Sequence, residues 1–123
     1  WVNNPFELVI ACSDQTSALT TGTAKETFRV PVNVTLTEVR ASLTTAQAAG
    51  LEISIDIRRF GTSILSTKLS IDNTERTSLS AATPAVISNP VLSSDDEISI
   101  DILTVDDATT AAGLKITLIG YRT

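Results

Sequence analysis

The sequence predicts an all-β fold, a jelly-roll-like antiparallel sandwich of about eight strands filling one domain over residues 1–123. Three observations predict it. Apolar and polar residues alternate strictly in several segments. Thr and Ser together make up roughly a quarter of the chain, well above ordinary globular usage. Turn residues recur every ~8–14 positions, the rhythm of a sandwich or barrel.

The elements follow in chain order. Phe6 to Ser13 opens the domain, with Phe6, Leu8 and Ile10 on one face. A Thr20-Thr21-Gly22 turn leads to a strand over Lys25 to Val30. Asn33 to Leu43 reads as one long strand whose apolar phase shifts between Leu36 and Val39. A bulge is needed there, since one extra residue restores the inward face. Thr44 to Ala49 invites a helical turn that Gly50 would end. Leu51, Ile53, Ile55 and Ile57 alternate with Glu52, Ser54, Asp56 and Arg58, the pattern of a half-buried strand with one wet face. Phe60-Gly61-Thr62 is a tight hairpin into Ile64 to Ile71, because Gly supplies positive φ. Thr74 to Ser80 and Ala85 to Ser88 are two short strands. Pro31, Pro84 and Pro90 cannot donate to a ladder and mark strand starts or edges. Ile98, Ile100 and Ile102, then Leu114, Ile116 and Leu118, repeat the alternation and complete the core.

Composition narrows the function classes. The net charge is -5, whereas a domain that neutralises phosphates needs a Lys/Arg excess, so nucleic acid and anionic membrane are poor partners. The longest apolar runs, such as Leu8 to Cys12, fall far short of the ~20 residues a spanning helix needs, so no membrane insertion is expected. Cys12 is the single cysteine and reads as a small buried hydrophobe. There is no His, so Ser-His-Asp chemistry has no base. The acidic groups Asp95-Asp96-Glu97, Asp106-Asp107, and Asp72 with Glu75 read as solvated turns that discourage edge pairing, and they lack calcium-loop spacing. A carboxylate pair for glycoside hydrolysis would also want aromatic platforms. The supply is Trp1, Phe6, Phe28, Phe60 and Tyr121, with Phe6 and Phe28 on inward phases. No catalytic residue, cofactor or metal ligand is assigned, and no enzymatic activity is expected. Arg40, beside the phase shift, is a candidate for an ion pair between subunits or a plain surface arginine. The chain has no Met and begins at Trp1, which predicts a piece of a longer protein.

Several strings occur together in order. They are Thr27-Phe28-Arg29-Val30-Pro31, Val39-Arg40-Ala41-Ser42-Leu43, Asp56-Ile57, Gly61 to Ser66, Leu69 to Asp72, Asp96 to Ile102 and Gly113 to Gly120. From Phe6 to Arg122 the chain thereby resembles a β-rich module of tailed-bacteriophage virion proteins, often placed at the C-terminal end of fibre-like chains. The resemblance implies a trimeric jelly-roll head located on the virion, either binding a receptor at a fibre tip or decorating the capsid. It supplies no set of binding residues. Three roles stay open: a head that binds a host cell-surface glycan or protein, a decoration protein docked on phage capsid protein, and an accessory module of a carbohydrate-active enzyme.

Two surfaces are expected from the residues. Val39, Ala41 and Leu43 oppose Val34 and Leu36, Leu103 and Val105 oppose Ile102, and Ile119 and Tyr121 flank Leu118. Contiguous outward apolar positions mark an interface, here that of a homotrimer. Receptor contacts are expected in loops at the end away from the N-terminus. The candidates are Thr44 and Gln47 in the Thr44–Gly50 segment, Phe60 and Thr62 in the hairpin turn, and Asp106, Asp107 and Thr109 in the loop before Gly113.

Overall fold

The computed structural model describes residues 4–123; Trp1, counted above among the aromatic side chains, lies outside the described residues. Eleven strand segments form two packed antiparallel sheets and a small satellite pair. The first sheet runs β1 (Pro5–Ala11), β11 (Lys115–Arg122), β3 (Val34–Ser42) and β9 (Val91–Leu92), in that spatial order. The second runs β2 (Gly22–Arg29), β10 (Glu97–Thr104) and β4 (Ile53–Arg59). Along the far edge of β4 lie β5 (Thr62–Ser63) at one end and β7 (Leu69–Ile71) at the other. The satellite joins β6 (Leu65–Thr67) to β8 (Val86–Ile87). Strands consecutive in the chain, β1 with β2, β3 with β4 and β10 with β11, sit in opposite sheets. That alternation, with the first and last strands adjacent, is the jelly-roll wrap.

The alternating segments fill the space between the sheets. Ile53, Ile55, Ile57, Ile98, Ile100, Ile102, Leu114, Ile116 and Leu118 are all buried in one cluster. Phe6 is buried with them, and Leu8, Ile10 and Phe28 pack against its rim. Leu51 does not continue the pattern. It is 59% exposed, because β4 starts only at Ile53.

The phase shift in β3 is a bulge. Ile119 pairs with Glu38 and Gly120 with Leu36, so Thr37 is the extra residue. Gly120 lies against that kink, where a Cβ would come within 2.1 Å of the Thr35 carbonyl oxygen. Only glycine admits so close a backbone approach. The bulge turns Val39, Ala41 and Leu43 inward together with Val34 and Leu36, and all five are buried. The expectation that Val39, Ala41 and Leu43 face outward as an interface is therefore corrected: the single-chain core already uses them.

Three other expected elements differ. The strand over Ile64 to Ile71 breaks into β6 and β7, with β5 pairing ahead of it. Arg58 pairs with Ser63 but Ile55 pairs with Leu69, so the residues between must loop out opposite Asp56 and Ile57. The segment from Thr74 to Ser80 is a turn and a short 3-10 helix, Ser78–Ser80, with Thr77 capping it by accepting from the Leu79 N–H. Thr44 to Ala49 forms no helical turn, and Thr45 instead bridges to Ala112. Among the described residues no helix is long and apolar enough to cross a membrane.

Ile100, fully buried where β10 is flanked by β2 and β4, is the sharpest probe of this packing. Ile100→Ala should lower the unfolding free energy by about 2–5 kcal/mol through lost transfer energy and a residual cavity, read from a urea unfolding curve.

Candidate functional site

The strand directions divide the expected loops between the two ends. β1, β3 and the start of β11 bring residues 12–21, 43–52 and 105–114 to one end, hereafter distal. Leu19 N–H donates to the Ala111 carbonyl, Thr44 N–H to that of Ala112 and Gly113 N–H to that of Asp14. The opposite, proximal end holds Asn4, the Val30–Asn33 turn, and Arg122, whose N–H donates to the Asn4 carbonyl at 2.7 Å. The Phe60 turn belongs there too, since Phe60 N–H donates to the Glu97 carbonyl at the start of β10. Phe60 and Thr62 thus do not share the distal end with Thr44, Asp106, Asp107 and Thr109, because β4 runs from the distal end to the proximal one.

Gln47 is not a free contact residue either. It is 1% exposed. Its Nε2 donates to the Leu51 carbonyl (2.6 Å) and to Asn73 Oδ1 (2.8 Å), and its Oε1 accepts from Asp106 N–H (2.9 Å). Its own carbonyl accepts from Thr74 N–H. One side chain therefore ties three loops into a unit, as a buried amide must when water cannot reach it. A lone long polar residue among alanines was the available sequence signal. Around this hub Thr44 Oγ1 donates to Gln15 Oε1 (2.5 Å), Asp106 Oδ2 accepts from Ala108 N–H, and Thr109 Oγ1 accepts from Ala111 N–H. Asp107 is exposed. The distal end is a stiff, polar, acidic surface.

On the outer face of the first sheet, Pro5, Tyr121, Thr35 and Val91 align across four strands. Tyr121 and Val91 are exposed, as is Val9 further along β1, while Ile119 is half-buried. Glu38 and Arg40 interrupt this apolar surface and form an ion pair with each other. Leu103 and Val105 lie instead on β10 and the loop after it, in the other sheet. Leu103 is the extra residue of a bulge opposite β4. An apolar groove of about 490 Å³ lies beside β3, lined by Leu36, Val39, Leu69, Leu79, Val86 and Ile87 among others.

The outer face of the second sheet departs from the expected wet face. Asp56 and Asp101 are cross-strand neighbours on β4 and β10, and both carboxylates are buried. Arg58 Nε lies 2.7 Å from Asp101 Oδ2 and 3.4 Å from Asp56 Oδ2. Lys68 Nζ lies 3.3 Å from Asp56 Oδ1, which also accepts from Ser63 Oγ and Ile57 N–H. Asp101 Oδ1 accepts from Ala24 N–H. The stems of Arg58 and Lys68 cover the carboxylates while their charged heads neutralise them. Asp56 Oδ2 has no hydrogen-bond donor among the described residues, and Arg58 Nε at 3.4 Å is the cation that faces it.

The other titratable groups serve turns and core. Burial first, and then the Glu26 carboxylate, push the Cys12 thiol up to about 12, which keeps it an inert core residue at neutral pH. Asp95 lies 3.6 Å from Arg29. Asp72 accepts from Ala82 N–H, and Glu75 from Ser80 Oγ. Ser93 N–H chiefly, with Arg59 adding to it, holds the Asp96 carboxyl below its usual value against the opposing effect of burial. Among the described residues no three His, Cys, Asp or Glu side chains converge as a metal ligand set.

No family model, no curated protein and no solved structure matches this chain.

Two predictions follow the charges. Arg58→Ala, which leaves Asp56 and Asp101 facing one another, should cost about 3 kcal/mol in chemical denaturation, the low end for breaking a buried pair because Arg58 is itself partly exposed. Asp96, with its lowered folded pKa, contributes stability that is complete above the ordinary carboxylate pKa of about 3.9 and fades as pH falls through the folded value. Asp96→Asn should therefore remove part of the stability at pH 7 and flatten its decline below about pH 4, measured as melting temperature against pH.

Proposed function

We propose that this chain is a non-enzymatic head domain of a virion fibre, assembled as a homotrimer, that binds a host cell-surface glycan or protein through its distal loops. One observation carries the reading. Both described chain ends lie at the proximal end, joined by the Arg122–Asn4 hydrogen bond, while the loops held by Gln47 project from the other. Any chain continuing from either terminus would leave the distal surface open to a partner. That surface is rigid, so binding there costs little ordering entropy. It is polar and nearly free of aromatics, so each site should be weak, and three copies would supply avidity. The resemblance to bacteriophage virion modules supports the same role.

A second reading, capsid decoration, is favoured by the outer face of the first sheet, where Tyr121, Val91 and Val9 are exposed. Such a face suits docking on capsid protein.

The fibre-head reading predicts a solution mass three times that of the 13.0 kDa chain in light scattering. It further predicts that exchanging residues 44–50 and 106–110 abolishes adsorption to host cells without changing that mass. Unchanged adsorption, with the domain co-sedimenting with capsid shells, would replace it with the decoration reading.

A further inference from the structure

Phe60 occupies a position where folding gives no reason for an aromatic residue. It forms with Gly61 the two-residue turn between the paired residues Arg59 and Thr62. Both turn residues have positive φ, 48° and 83°, the geometry of a type I′ hairpin, which prefers Asn, Asp or Gly at the first position. A bulky side chain there is strained. Burial does not offset the strain, since Phe60 is 60% exposed. Strain held at an exposed aromatic side chain points from fold to function.

Beside the ring lies a recess of about 280 Å³, lined by Arg59, Phe60, Thr62, Ser63, Ile64 and Asn89. Its walls are set by the second sheet. Arg59 Nε donates to Asp96 Oδ2 at 2.5 Å, which fixes the guanidinium plane. Among the described residues nothing accepts from its two terminal nitrogens, nor bonds the Thr62 hydroxyl. The Asn89 amide makes only two long contacts, at 3.5 Å, to the Ser63 carbonyl and Ser88 Oγ. Phe60 is held by its N–H to the Glu97 carbonyl, and Gly61 by Arg58 Nη1 on its carbonyl. The recess thus combines one aromatic face, a fixed guanidinium fork, an amide and a hydroxyl, on a turn anchored from both sides.

We propose that this hairpin is a binding site for a single pyranose residue. The slightly positive C–H face of a sugar ring suits the negative face of Phe60. Vicinal hydroxyls suit the paired donors of Arg59 and the donor–acceptor pair of Asn89. The volume is just below the ~300–1,000 Å³ of ordinary ligand pockets, which fits one ring and excludes an enclosed oligosaccharide. The site lies at the end of the sandwich opposite the loops tied by Gln47, so it stands or falls independently of the distal-loop proposal.

The test is an NMR titration of the whole chain with methyl glycosides of gluco, galacto, manno and glucurono configuration. At least one should give saturable shifts at Phe60, Thr62 and Asn89. Phe60→Asn restores the preferred turn residue, so it should raise the melting temperature while weakening binding at least tenfold; Phe60→Tyr should retain it. Absence of saturable shifts at the hairpin with every glycoside would overturn the site, as would shifts confined to residues 44–50 and 105–113. Undiminished binding by Phe60→Asn, or a lowered melting temperature, would do the same, the latter by showing that the ring serves the fold.

Discussion

The structure depends on keeping an aliphatic side chain on the inward phase of the central strands, β3 and β11 in one sheet and β4 and β10 in the other. With aromatic residues at 4% of the chain, the core has few large side chains to bridge gaps, so Ile, Leu and Val must interdigitate across sheets about 10 Å apart. A one-residue slip would send a whole strand's apolar set into solvent. The bulge at Thr37 and the glycine opposite it exist to prevent that on β3, the strand that pairs with β11 on one side and β9 on the other. Because the bulge aims both halves of β3 inward, the core is complete within one chain.

The outer face of the second sheet inherits the consequence. The inward period of β4 and β10 forces Asp56 and Asp101 side by side on the opposite phase. Two adjacent carboxylates repel unless cations lie between them, and Arg58 and Lys68 fill that role. The looped segment between β5 and β7 delivers Lys68 to Asp56, which also accepts from Ser63 at the end of β5. What begins as a break in a strand is thus also a charge-compensating device. It fixes the Arg58–Phe60 hairpin as well, since Arg58 reaches from Asp101 to the Gly61 carbonyl.

Strand direction then assigns each end a character. The distal end is knitted by backbone bonds among four loops and by the buried amide of Gln47, giving a polar surface of defined shape. The proximal end gathers the described chain ends, the acidic Asp95–Glu97 turn with its arginine partners, and the exposed ring of Phe60. Loops of similar composition acquire different settings because β4 crosses the whole sandwich before it turns.

Much of this was legible in the residues. Period-two alternation identified the strands around Ile55, Ile100 and Ile116, because burial on one face imposes that period directly on the chain. The slip between Leu36 and Val39 signalled the bulge for the same reason, and the apolar neighbours of Cys12 signalled an inert thiol. Other features depend on which segments meet. Asp56 reads as a wet-face residue until the strand beside it loops out and brings Lys68 over it. Gln47 reads as a free loop residue until residues 73 and 106 arrive to bond it. Phe60 and Asp106 look equivalent until strand direction sends them to opposite ends. Local pattern records which face of its own strand a side chain takes, because pleating is local. Who stands opposite it is decided by pairing and by the wrap of one sheet over the other, and those contacts join residues far apart in the chain.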